Sequence, residues 1–554
     1  MPISMFPLIW DFGNVTDGNE ARYIAQMIET HVQTNTEPQQ KKLLVNLLSE
    51  SQAFMRKQRD ECSFVSLRDV ERTIEVFNWL ESVKKALFPD LRKFLPKTIS
   101  QISDFHIKCL LSLSISYNVR LDTKRYAYSA RISRVLGYDE KTQDVMRLIF
   151  RASQDAILKE MQLDDTIAKN DALVENTMMM CICIQLKIPL FLVGKPGSSK
   201  TLSKTVVNTL MQGKKSQSEL FREHFKEIQM FTYQCSPIST SESIHGIFRQ
   251  CQKFQEQKNL KKYTTVVVLD EIGLAEDSNK LPLKILHPLL EDGCLDNETP
   301  SEVKKVSFVG ISNWALDPAK MNRGLLLSRT PPDKEDLIKI GKGIAGKGNL
   351  SILEGILSDL ASGYMAVYSK QKREYYGLRD YYSVIKDLIR KVSELKTSPS
   401  FADIEYIIRR NFGGYFENFV PADVFMKEFK MISRTDEVEF SYPGLIQSCL
   451  QEYNAHSYQS RYILFLTKNQ AALQILQLPQ NQCETKRVVL YGSSFIGDNE
   501  YGSICKNINR IKIYMETGVQ VVLSNLDNIY ESLYDALNMN YVTLGQNRYV
   551  DLGK

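Results

Sequence analysis

Four groups of residues carry side chains suited to handling a triphosphate, and they follow one another in a consistent order. The first is Gly194-Lys195-Pro196-Gly197-Ser198-Ser199-Lys200-Thr201. In such a turn the loop amides and the positive end of the following helix face phosphates, and Lys200 adds a point charge between the β and γ groups. The Thr201 hydroxyl is a ligand for Mg²⁺. The pattern G-x-x-x-x-G-K-[ST] is met at Gly194, Lys200 and Thr201, with Ser199 standing where the second glycine belongs. The second group, Asp270-Glu271, comes about seventy residues later. Asp270 suits the hydrated Mg²⁺ and Glu271 suits polarising an attacking water. Third is Asn313, able to hydrogen-bond that water or the γ-phosphate. Fourth is Arg379, able to meet the γ-phosphate from a closing lid. Each has a plainer reading: a strand-to-helix turn, helix-capping acids, a turn residue, a solvated arginine. Their joint occurrence favours the phosphate site.

Positioning them requires a particular scaffold. The apolar run Phe191 to Val193 reads as a strand, with a helix from Leu202. Met230 to Gln234 reads as a second strand, followed by a helix around Ile244 to Phe254. The continuous apolar run Val266 to Leu269 before Asp270 reads as a strand buried on both faces. A helix over Leu281 to Leu290 and a strand over Val306 to Ile311, ending at Ser312-Asn313, complete the set. This alternation predicts an α/β fold, a parallel sheet flanked by helices with right-handed crossovers. Its strands deliver Glu271 and Asn313 to one crevice at their carboxyl ends.

The remainder of the chain frames this module. With 554 residues, three or four units are expected. Hydrophobic content of 43% and charged content of 24% are ordinary for globular protein. The balance of 70 basic against 65 acidic residues, +5, argues against a dedicated nucleic-acid binder. Ten scattered cysteines without C-x-x-C spacing, and only six histidines, encode no zinc ring. No signal peptide is legible, and Met178 to Val193 reads as a buried helix running into a strand rather than a transmembrane segment. Helical patterns fill residues 1 to about 100, where Ser66-Leu67-Arg68-Asp69 opens an amphipathic run. They continue over Phe105 to Ile115 and Thr142 to Gln162. After Pro331-Pro332 the pattern is helical again to about Ile408, and Gly377-Leu378-Arg379-Asp380 repeats the earlier opening. Toward the end, Tyr462 to Leu466, Val488 to Tyr491 and Val519 to Leu523 read as strands. Gln470 to Leu478, Tyr501 to Met515 and Ile529 to Leu537 read as the intervening helices. Here the first turn is Thr467-Lys468-Asn469 with no glycine loop and the third strand ends Ser524-Asn525, so this copy of the pattern is expected to bind nucleotide poorly.

Taken in order, these features resemble the AAA+ ATPases. The runs GKPGSSKT, TYQCSPIST, VVVLDEIGLAEDSNKLPLKILHPLLEDG, VGISNWALDPAKMNRG and GLRDYYS are similar to the mysterin family, giant ring-finger ubiquitin ligases with a dynein-like AAA+ core. NINRIKIYMETG and LYDALN extend the likeness over most of the chain. The resemblance implies an AAA+ P-loop module with a helical lid, preceded by the lid of another module and followed by the start of a degenerate one. The implied boundaries are 1–100 for the preceding lid, 101–174 for a linker and 175–330 for the large α/β subdomain. Residues 331–415 are then its lid, 416–454 a linker and 455–554 the degenerate module. It also implies that Arg68 is the preceding lid's sensor and that neighbouring modules of one chain share sites. Arg323 is the candidate arginine finger for a neighbour's nucleotide, with Arg329 in reserve. A finger is worth on the order of 10³–10⁵ in hydrolysis rate. Ser precedes the lysine in that family too, so Ser199 departs from the superfamily rather than from the family. ATP and Mg²⁺ are the expected cofactors. Ubiquitin and a ubiquitin-conjugating enzyme are partners only through regions outside this sequence, and a cytoplasmic, possibly lipid-droplet-associated, location is implied. An ATP-hydrolysing core, a nucleotide-locked scaffold and, least favoured because no heptad stalk is visible, a dynein-type motor all remain open at this point.

Overall fold

The computed structural model describes residues 17–552, except 33–35, 59–64, 122, 139–144, 162, 164–166, 277, 279, 296–297, 330, 415–417, 430–440, 455–461, 469–470, 478–485, 531, 539–540, 545–546 and 551. It divides into two compact units, residues 1–399 with 411–432, and residues 400–410 with 433–554.

The first unit is organised on a five-stranded parallel sheet. Its strands are β1 (Leu190–Gly194), β2 (Glu227–Gln234), β3 (Tyr263–Asp270), β4 (Ser307–Ser312) and β5 (Leu325–Arg329), in the spatial order β2-β3-β4-β1-β5. Because β1 lies between β4 and β5, the turn after it opens beside the end of β4, with β3 one strand further on. Strand β5 is missing from the sequence reading. Only the short helix Pro318–Met321 separates it from β4, so the strand–long helix–strand rhythm fails there. The expected helix over Leu281 to Leu290 is a 3₁₀ turn, Pro282–Ile285, followed by the helix Leu286–Glu291. Leu281 takes a left-handed conformation (φ 47°) that no helix continues through.

Side chains alternate across the strands. Leu190, Leu192, Val266, Val268, Val309, Ile311, Leu325 and Leu327 join one apolar core, and Phe191, Val193, Val267, Leu269, Phe308 and Leu326 join the other. The first core is continuous with the helices Asp17–His31, Pro38–Arg56, Leu67–Lys93, Asp104–Ser116, Arg125–Val135, Val145–Glu160 and Asp171–Leu186. The last of these helices is buried almost all round, as its lack of a polar face requires. It is capped by Asn170 and stopped by left-handed Lys187, just before β1.

On the carboxyl side come the helices Lys334–Lys370, broken at Gly346, and Leu378–Leu395. The stretch Gly348–Lys370 has the length and composition of a membrane span. Leu353, Leu357, Leu360, Ala361, Tyr364 and Val367 are nonetheless buried along one face, and Gly363 lies directly against the Phe425 ring. It is the core helix of the lid.

In the second unit β6 (Arg487–Tyr491) pairs in parallel with β7 (Gln520–Ser524). Tyr462 to Leu466 forms no strand, contrary to the sequence reading. In the first unit the strand at this place in the order bonds to β4 and β5, and neither has an equivalent among the described residues here. Ile529 to Leu537 is a 3₁₀ turn and a four-residue helix rather than one helix. Strands β3 and β7 end alike. Glu271 (φ 51°) and Asn525 (φ 54°) are both left-handed, and the residues after β2 and β6, Cys235 and Gly492, donate to the carbonyls of Asp270 and Ser524. The backbone device is kept while the Asp-Glu side chains are exchanged for Ser-Asn.

Candidate functional site

The loop after β1 is shaped by two glycines. A Cβ at Gly194 would stand 2.6 Å from the Arg329 Cβ and 2.9 Å from the Ser198 Oγ. Gly197 has φ 90°, and a Cβ there would meet the Leu378 Cβ at 2.7 Å. Ser199 also takes a left-handed conformation (φ 60°), a position at which glycine carries no strain. Its Oγ accepts a 3.3 Å hydrogen bond from Asn170, and Asn176 donates to the Ser198 carbonyl at 3.0 Å.

Lys200 opens the next helix and is 7% exposed. Its amine donates to the Gly194 carbonyl, to the Lys195 carbonyl at 3.1 Å and to Asn313 Oδ1 at 2.9 Å. Asn313 Nδ2 in turn donates to Glu271 Oε2 at 2.6 Å. The orientation of this amide follows from chemistry, since an ammonium only donates and a carboxylate only accepts. Three of the four predicted groups therefore form one chain: Lys200, Asn313, Glu271. Burial lowers the Lys200 amine to about 8, with Arg379 acting in the same direction against Glu271 and Asp270. Burial raises the Glu271 carboxyl, and the Asp270 charge adds to this while the Asn313 bond opposes it.

Asp270 is 8% exposed; its Oδ1 accepts from the Glu271 amide at 3.1 Å and its Oδ2 lies 3.6 Å from the Lys204 amine. A lightly bonded carboxylate together with the exposed Thr201 hydroxyl is a hard-oxygen donor set that fits Mg²⁺. The buried lysine, turned back on its own loop's carbonyls, fits a phosphate that would replace them as acceptor.

Arg379 is exposed at the start of the lid helix Leu378–Leu395 and acts electrostatically on both Lys200 and Glu271. That helix touches the loop directly: Tyr382 donates its hydroxyl to the Gly197 carbonyl at 2.8 Å, and Lys195 pairs with Glu374. Pro196 is exposed beside them. Sequence reasoning missed Tyr382, Glu374, Asn170 and Asn176. A signal existed only for Asn176, an amide inside an otherwise apolar helical run, which burial obliges to find partners.

The two finger candidates differ sharply. Arg329 is held inside its own module, donating to Asn176 Oδ1 at 2.7 Å and to Glu175 Oε2 at 2.8 Å. It cannot reach another module while so engaged. Arg323 is partly exposed, bonded to the Ala319 carbonyl and 3.1 Å from Glu291. Arg68 lies on the same Glu291 oxygen at 2.8 Å. Behind them Asp69, 1% exposed, is shared by Arg72 at 2.9 Å and Arg120.

This arrangement sits on a chain whose relatives are known. The profile of the RNF213 AAA domain matches residues 166–336, and a second RNF213 AAA profile matches 452–553. The chain is 44% identical over 575 residues to the human E3 ubiquitin-protein ligase RNF213, all of this chain against 11% of that protein. This chain belongs to the RNF213, or mysterin, family. Mouse RNF213 is 44% identical over 568 residues, and zebrafish rnf213-beta 43% over 564, each spanning all of this chain and 11% of the relative. The chain thus corresponds to about a tenth of the mysterin relatives it matches. Two Thermotoga maritima RuvB mutants are also similar, at 11% and 13% identity with TM-scores of 0.25 and 0.28. They cover 68% and 71% of this chain and 91% and 95% of their own. The fold is an AAA+ P-loop module with its lid, preceded by helices and followed by a second RNF213-type AAA segment.

Proposed function

We propose that this chain is an ATP-binding and ATP-hydrolysing part of the core of a mysterin-type ubiquitin ligase, coupling nucleotide state to lid position. The observation that carries the reading is the chain of contacts Lys200–Asn313–Glu271 beside Asp270, all at the carboxyl edge of β1, β3 and β4.

Lys200, Gly194 to Ser199 and Thr201 bind the triphosphate. Thr201 and Asp270 hold Mg²⁺, which when bound neutralises charge on the phosphates. Glu271 orients water and takes its proton, for which a raised carboxyl pKa is suited. Asn313 connects the phosphate-binding amine to that carboxylate, and Arg379 and Tyr382 carry the loop's state into the lid. Arg323 serves the nucleotide of a preceding module. Ubiquitin and its conjugating enzyme meet the parent protein elsewhere.

A second reading is a nucleotide-locked scaffold, favoured by the left-handed Ser199 and by the capture of Glu271 by Asn313. Phosphate release, measured alongside the nucleotide content of the purified protein, separates the two. Lys200→Ala is expected to abolish binding; an affinity within about threefold of the parent refutes the site, since a buried phosphate-bound charge is worth more than that. Glu271→Gln is expected to retain nucleotide and stop turnover, and unchanged phosphate release rejects its catalytic role.

A further inference from the structure

Arg68 and Arg323 come from segments over two hundred residues apart in sequence, yet both lie against a single oxygen, Glu291 Oε1: a terminal nitrogen of Arg68 at 2.8 Å, and the buried Arg323 Nε at 3.1 Å in a charge contact that leaves its N–H without a hydrogen-bond acceptor. Their spacing is imposed from behind. Asp69, next to Arg68, binds Arg72 and Arg120 in a buried triad. Arg72 donates to the carbonyls of Asn322 and Gly324 at 3.2 Å each, and Arg120 reaches the Gly324 carbonyl at 3.4 Å. Those two residues flank Arg323. One buried cluster therefore grips the helix start that bears Arg68 and both backbone neighbours of Arg323.

Two guanidiniums share one carboxylate that is itself a third exposed, while the two other acids nearby, Glu276 at 2.5 Å and Asp317 at 3.9 Å, are paired with Lys320. A guanidinium pair at fixed separation is the arrangement that binds a multiply charged oxyanion. We propose that Glu291 is an internal stand-in for phosphate: it parks Arg68 and Arg323, and the triphosphate tail of a nucleotide presented by another AAA+ module displaces it. Glu291 is then a positioning residue that sets how much phosphate charge is needed to engage the two arginines. This rests on the proposed AAA+ reading of the chain but not on the Lys200 site.

The test uses the full chain carrying Lys200→Ala, so that the central loop contributes nothing. Inorganic tripolyphosphate binding is followed by titration calorimetry at low salt, with thermal melting to verify folding. Adding Glu291→Gln is expected to tighten binding by about tenfold, the scale of removing one competing charge at contact distance near a protein surface. Adding Arg68→Ala or Arg323→Ala to that variant is expected to return it to the parent value. Glu291→Asp, which withdraws the carboxylate by one methylene, is expected to give a smaller gain of the same sign. Tripolyphosphate affinity within twofold of the parent in both Glu291 variants overturns the proposal. So does a gain that survives loss of both arginines. Because every measurement is made without Lys200, a failure of nucleotide binding at the central loop leaves the outcome unaffected.

Discussion

Replacing Asp69 by Asn isolates the charge at the centre of the buried triad. The amide keeps the carboxylate's shape, and its oxygen can still accept from the Ser66 amide, a 3.0 Å bond in the parent that caps the helix Leu67–Lys93. What is lost is the negative charge facing two guanidiniums whose side chains are 10% and 3% exposed. Breaking a buried ion pair by removing one partner costs about 3–5 kcal/mol, because the remaining charge stays desolvated. The two arginines here share one carboxylate, so the loss belongs in the upper half of that range. Replacing all three residues, as Asp69→Asn with Arg72→Met and Arg120→Met, removes the stranded charges and restores most of it. A residual deficit of about 2 kcal/mol remains, since the carbonyls of Asn322 and Gly324 lose their donors. The assay is urea unfolding followed through Trp79, which lies in the same helix, 8% exposed and edge-on to Phe225 at 5.6 Å. Trp10 and Trp314 are changed to Phe in every variant. A loss below about 1 kcal/mol for Asp69→Asn refutes the reasoning, as does a triple variant no more stable than the single one.

Three further outcomes follow from the loop. Burial holds the empty protein's Lys200 amine near 8 against an ordinary 10.5, and a bound phosphate stabilises its cation. Binding therefore takes up a proton at alkaline pH, and affinity for ATP should fall about tenfold or more between pH 7.5 and 9.5. Titrations in that range check this, and calorimetry in buffers of different ionisation enthalpy measures the proton directly. The same shift makes the unfolded chain bind more protons than the folded one between about pH 8 and 10.5, so the buried amine's penalty on stability is full below that window and is lifted as pH rises through it. Lys200→Met, compared with the parent by melting at pH 7 and pH 10.5, should show its stability advantage shrink at the higher pH. Separately, Gly197→Ala adds a Cβ at φ 90° against Leu378 and should destabilise the first unit by about 1–2 kcal/mol while separating lid from loop. Protease protection of the Gly197 and Leu378 segments is the readout, and unchanged protection contradicts the contact.

Much of the central module was legible because its signals are local. An apolar run bounded by Gly194 predicts a strand whatever surrounds it, and Val266 to Leu269 before Asp270-Glu271 predicts a central strand with acids at its end. The grouping of Lys200, Asp270, Glu271 and Asn313 followed from the rule that parallel strands deliver their carboxyl ends to one edge. What evaded sequence reasoning lacked a local period. Leu325–Arg329 is too close behind β4 to be announced by a helix, and Tyr462 to Leu466 has a strand's composition without the neighbours that would make it one.

Burial and pairing are properties of the assembled fold. Asp69 has the sequence signature of an ordinary capping residue, and only the approach of Arg120 and the Asn322–Gly324 backbone turns it into the centre of an ion triad. Arg323 and Arg329 are equally charged and six residues apart, yet one reaches a glutamate a third exposed and the other is enclosed by Glu175 and Asn176. Residue type and spacing determined which chemistry this chain can hold, because strands, turns and caps are set by short-range sterics and hydrogen bonding. Which charged groups remain available for that chemistry was decided by tertiary structure alone, because desolvation and partner choice depend on segments far apart in sequence.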